Sequence, residues 1–131
     1  MSPHLKIVLR WIAVLPAAVG AYVGVALLTV FSQHLFSDSA FLGELSSAVF
    51  APMAFVYAGA TTAPTHRFTT AITLTVLHAM LLAGMFGFIA YGIFVLKTTF
   101  KDPVWWAATR AAIGVAVTIG ATVAIGREER E

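Results

Sequence analysis

Four apolar runs, each about as long as a bilayer is thick, leave this chain few folds to adopt. A helix needs roughly 20 apolar residues to cross a hydrocarbon core of about 30 Å. The chain offers such runs from Trp11 to Phe31, from Phe41 to Thr62, from about His66 to Leu96 and from Pro103 to Ile125. In lipid each backbone polar group must find its partner within the protein, so runs of this length become helices. The expected fold is therefore an all-α integral membrane protein, a compact bundle of four transmembrane helices at about 9–31, 41–62, 66–96 and 103–125, forming a single domain over 1–131. Composition agrees: 60% of residues are hydrophobic and only 11% charged, where a soluble domain carries about 25% charged residues.

Local signals set the boundaries. Lys6 and Arg10 precede the first run, as in a signal peptide. The apolar stretch, however, continues well past Leu15-Pro16-Ala17-Ala18, which predicts an uncleaved span. Asp38 or Ser39 can cap the second helix and Thr65 the third. Asp102-Pro103 starts the fourth, and Gly126 is expected to end it. Pro16 and Pro52 each remove a helical donor and leave the carbonyls of Ile12 and Ala48 free. The third run exceeds the bilayer core, so that helix must tilt, protrude or end early, with Gly84, Gly87 and Gly92 as candidate weak points.

Lys and Arg near the helix ends orient the chain. Lys6, Arg10, Arg67, Arg127 and Arg130 fall on one side; Lys97, Lys101 and the shallow Arg110 fall on the other. The expected location is the cell (inner) membrane, multi-pass, with both termini cytoplasmic, Trp11 at the inner interface and Trp105 and Trp106 at the outer one.

Several function classes lose their chemistry. There is no cysteine, hence no disulfide, thiolate metal site or thiol nucleophile. No zinc motif, phosphate-cradling loop, Ser-His-Asp arrangement or intramembrane carboxylate pair is present. Lys and Arg do not cluster with aromatics on a polar face, so nucleic acid is not an expected partner. A bis-histidine haem needs ligands at matching depth, and by helical rise His78 sits about 15 Å below His34. The reading is a non-enzyme with no cofactor and no metal.

A few polar residues inside the spans are candidates for function. His78 is the deepest titratable group, at a level similar to the freed Ala48 carbonyl; it is expected to be neutral and bonded to a neighbouring helix. Arg110 and Glu44 enter from the same side at comparable depth, which predicts an ion pair. Thr118 and Thr122 share a face with Arg110 and could extend a polar path. Small residues recur at four-residue spacing in the fourth helix, in the rows Ala108, Ala112, Ala116, Gly120, Ala124 and Arg110, Gly114, Thr118, Thr122, Gly126. Such rows permit close helix approach within a bundle or between copies.

In size and helix count the chain resembles the small dual-topology fluoride channels. Phe68-Thr69-Thr70 is shorter than their hydroxyl-rich helix break, and the chain has no asparagine. Small multidrug transporters share the helix count but depend on a glutamate in helix one, which is missing here. The sequence thus supports two readings: a structural or accessory, oligomer-forming membrane subunit, or a small ion channel or transporter with a polar path near His78, Thr118, Thr122 and Arg110. Its expected partners are the lipid bilayer and either itself or a larger membrane complex.

Overall fold

The computed structural model describes residues 1–36, 40–99 and 103–131, apart from the side chains of residues 36 and 40. The expected caps at Asp38, Ser39 and Asp102, and the charge of Lys101, lie outside the described residues. Four helices follow one another: α1 (Pro3–Phe36), α2 (Ala40–Thr62), α3 (Arg67–Phe94) and α4 (Val104–Glu128). All four are long and apolar enough to cross a membrane, and together they form a compact bundle. Both termini and the α2–α3 turn share one end, the terminal end; the other two connections share the far end.

The boundaries depart from expectation in physically instructive ways. Helix α1 has 34 residues, about 51 Å at 1.5 Å per residue, so Ser32–Phe36, expected as loop, continue the helix. Helix α3 runs unbroken through Gly84, Gly87 and Gly92 and ends at Phe94. There Lys97 turns left-handed at φ 51°, and Thr98 donates both its N–H (3.0 Å) and its hydroxyl (2.9 Å) to the Gly92 carbonyl. Helix α4 passes through Gly126 to Glu128, and the Phe68 ring of α3 occupies the space a side chain at that glycine would need. Thr65 does not cap α3. The cap position is His66, left-handed at φ 54° and without a side-chain bond. The Phe68 N–H instead donates to the Glu129 carboxylate at 3.1 Å, across 61 positions of sequence. A carboxylate there also complements the positive end of the helix dipole.

Helix α2 packs against all three others and α3 packs against α4, whereas the backbone of α1 approaches α2 alone. The core lies toward the terminal end: Ala18 from α1, Phe55, Val56 and Ala60 from α2, Ala71 and Leu74 from α3, Ala121 and Ile125 from α4. Gly59 makes this possible, since Ala18 and Leu74 occupy the space a side chain there would need. Toward the far end α3 stands off. After His78 its next buried residue is Gly92.

The two small-residue rows of α4 have different fates. Gly114, Thr118 and Thr122 are buried against α2 and α3, while Ala108, Ala112, Ala116 and Gly120 are exposed. Nothing lies within 4 Å of a side chain added at Gly120. Close approach within the bundle therefore uses the second row and not the first.

Candidate membrane pocket

Because α3 diverges from α2 above His78, the far half of the bundle encloses a cavity of about 390 Å³. All four helices line it. Its α2–α4 wall is the polar one, with Glu44, Ser47, Arg110 and the close-packed Gly114; Tyr22 and Val30 of α1 face Leu82 and Met85 of α3 across it.

Gly114 sets the floor. A side chain there would meet the Pro52 ring at 3.3 Å, the His78 ring edge at 3.4 Å and the Ala48 carbonyl oxygen at 3.6 Å. The histidine of α3, the proline of α2 and the carbonyl that proline sets free thus converge on one glycine of α4. Beneath them, Tyr22, Phe55 and His78 form a three-ring cluster with centroids 6.1–6.3 Å apart. These rings and the core below them close the cavity toward the terminal end.

His78 is 8% exposed. The bond expected to a neighbouring helix is not made: its Nδ1 is buried without a hydrogen-bond partner. The freed Ala48 carbonyl is close by, but the ring is not turned to it. A buried polar atom left so costs roughly 1–3 kcal/mol unless something completes it.

The Arg110–Glu44 pair lies near the far end of the cavity, with Arg110 Nη1 3.5 Å from Glu44 Oε2. Both side chains are about one-third exposed, at 30% and 36%. The same carboxylate oxygen accepts a short 2.5 Å bond from Trp106 Nε1. At 3.5 Å the guanidinium contact is an ion pair rather than a hydrogen bond. Arg110 also lies over the Trp106 ring, 5.8 Å from its centroid, within cation–π range. Its Nε is buried and has no partner. Phe41 stacks on the other partner of this group, with its ring 5.1 Å from that of Trp106.

The four residues expected to share a polar path divide in two. His78 and Arg110 line the cavity, together with Glu44; Thr118 and Thr122 do not. Thr122 hydroxyl meets Thr75 hydroxyl at 2.8 Å and also bonds the Thr118 carbonyl at 2.8 Å. Thr118 donates to Val115 at 2.8 Å and is fully buried. The Thr75–Thr122 contact fastens α3 to α4 below the cavity floor, while the Thr118 hydroxyl bonds within its own helix. Among the described residues no group of three His, Cys, Asp or Glu side chains could hold a metal ion.

Sequence reasoning missed Tyr22, Trp106 and Gly114 as parts of one site. Trp106 was legible in principle: Glu44 is the only carboxylate within the spans and requires a donor, and Trp106 lies one turn before Arg110 on the same helix face. Tyr22 carried no signal. No known protein family, curated protein or solved structure matches this chain.

Proposed function

We propose that this protein is an accessory membrane subunit whose working part is the blind pocket in the far half of the bundle, used to bind a ligand rather than to conduct or transform it. One observation carries the reading: two buried polar atoms, His78 Nδ1 and Arg110 Nε, stand without partners on residues that line one cavity. Buried polar atoms are nearly always satisfied, so a pair of exceptions around one space marks that space as built for something. The threonines beneath the floor are bonded to one another and to backbone carbonyls, with the apolar core around them, which favours binding over permeation.

The test is native mass spectrometry on gently extracted protein. A bound mass is expected, lost in Ala111→Phe or Ala107→Phe, both of which fill the cavity from α4. In liposomes the protein should raise ion flux no further than protein-free controls do. A flux that disappears in a folded His78→Leu variant would establish a conducting path and overturn the reading.

Self-association is a second reading, supported by the exposed row Ala108, Ala112, Ala116 and Gly120. Cysteines placed singly along α4 and oxidised in the membrane should cross-link at 112 and 116 but not at 118.

A further inference from the structure

Which ligand such a pocket takes can be read from its walls and its opening. This rests on the pocket reading above. The α2–α4 wall is polar but electrically balanced, since the Glu44 carboxylate faces the Arg110 guanidinium. A net ion entering beside that pair gains little, because attraction to one member is offset by repulsion from the other. An uncharged head with acceptor oxygens fits better. It can accept from the exposed part of the Arg110 guanidinium, whose N–H groups are always donors, and it reaches His78 Nδ1, which lies beneath the cavity surface, when that ring swings toward the cavity.

The opposite wall carries Tyr22 and Gln33 of α1 beside apolar residues, and it is incomplete. Val30 of α1 and Leu82 and Met85 of α3 line it, yet α1 makes no backbone approach to α3. No residue of α3 between His78 and Gly92 is buried. Val30 is 49% and Met85 44% exposed, and beyond them Leu27 and Phe88 are exposed as well. In a helix of this length, that stretch lies at the depth of the hydrocarbon. The cavity therefore opens sideways between α1 and α3, into lipid, on the side away from its polar wall.

From this arrangement we infer that the pocket takes a neutral single-chain amphiphile from the bilayer, its hydroxyl- and carbonyl-bearing head against Arg110, Glu44 and His78 and its chain leaving between α1 and α3. The head displaces nothing charged, and the chain never leaves hydrocarbon. A cavity of about 390 Å³ holds a head of glycerol-ester size and the first part of the chain, within the usual range for small-ligand sites of roughly 300–1,000 Å³.

The experiment uses full-length protein in nanodiscs with histidine nitrogens labelled by ¹⁵N. The His78 resonance is identified by its loss in His78→Leu. Four probes are compared: 1-monooleoylglycerol, oleate, oleylamine and free glycerol. The expected result is that monooleoylglycerol alone moves the His78 resonance at low mole fraction. Arg110→Lys, which keeps the charge facing Glu44 but removes the planar set of guanidinium donors, should weaken that binding about tenfold. Ala111→Phe should abolish the shift, with Ala107→Phe as a second blocking variant should the first misfold. Binding of oleate or oleylamine at least as tight as monooleoylglycerol overturns the neutral-head inference, and equally tight binding of glycerol overturns lateral entry, while both leave the pocket reading standing. If no probe moves His78 and the blocking variants change neither its resonance nor any co-purifying mass, the pocket reading itself falls.

Discussion

Gly114 faces a proline ring and a backbone carbonyl rather than flexible side chains alone, and its replacement offers a quantitative test of the packing. Three walls meet there: the Pro52 ring at 3.3 Å, the His78 ring at 3.4 Å and the Ala48 carbonyl at 3.6 Å from where a Cβ would stand. Two of these cannot turn away, because one is a ring fused to the α2 backbone and the other is the backbone itself. Only the His78 ring can give, by swinging toward the cavity. Removing a helical glycine gains about 1 kcal/mol, so Gly114→Ala should be close to neutral, the gain offset by the tight contacts. Gly114→Leu has no such balance. Its branched end must displace α2 or α3, and overpacking costs about 1–3 kcal/mol or more. With the propensity gain set against the upper part of that range, the net loss should be about 2 kcal/mol. Gly120→Leu supplies the control: it has the same chemistry, nothing lies within 4 Å of its Cβ, and the propensity gain alone should leave it between neutral and about 1 kcal/mol more stable. Equilibrium unfolding by steric trapping in bicelles, at protein concentrations low enough to keep copies apart, reads both. Equal stabilities for the two leucine variants would refute the assignment of the Gly114 row to the bundle interior.

Three further outcomes are expected. Glu44→Gln and Arg110→Gln should each destabilise, and together cost about 1 kcal/mol less than their sum; strict additivity in the unfolding cycle would mean that the pair contributes nothing. Glu129→Ala should remove the cap on α3, a loss of about 1 kcal/mol confined to that end, seen as roughly fivefold faster hydrogen exchange at the Phe68 amide with α4 exchange unchanged; an unaltered Phe68 rate contradicts the capping role. Single cysteines at Ser37 and Thr65, exposed to an impermeant thiol reagent on intact cells, should react at 37 and not at 65 if the termini face the cytoplasm, and the reverse pattern inverts the topology.

The architecture was legible because a bilayer imposes its demand residue by residue: length and apolarity alone mark a span, and the four runs became four helices. The Arg110–Glu44 pair was legible for a related reason, since depth follows from helical rise and two opposite charges at one depth are cheaper together than apart. Helix faces were harder. The α4 rows at Ala108 and at Arg110 have the same spacing and similar residues, and only the position of α2 and α3 decides which is buried. The cavity depends on the divergence of α3 past His78, a property of how three helices cross, and no single helix carries it. Capping failed where the local rule competed with a distant partner: Thr65 has the right chemistry, but the Glu129 carboxylate reaches the same amides from α4. Thr118 and Thr122 share the buried face of α4 with Arg110 but lie below the cavity, because a hydroxyl that lines a space and one bonded inside the packing look alike in sequence.

The Glu129 contact also dictates an order of assembly. Helix α3 is synthesised and enters the membrane well before the residue that completes its first turn exists, since the cap follows Phe68 by 61 positions. Until α4 arrives, the leading amides of α3 must remain in contact with water or head groups, which pins that end at the membrane surface and prevents the helix from sliding deeper. Once α4 is seated the exposed Glu129 carboxylate takes the Phe68 amide from water, while the Thr75–Thr122 contact in the interior holds α3 against α4.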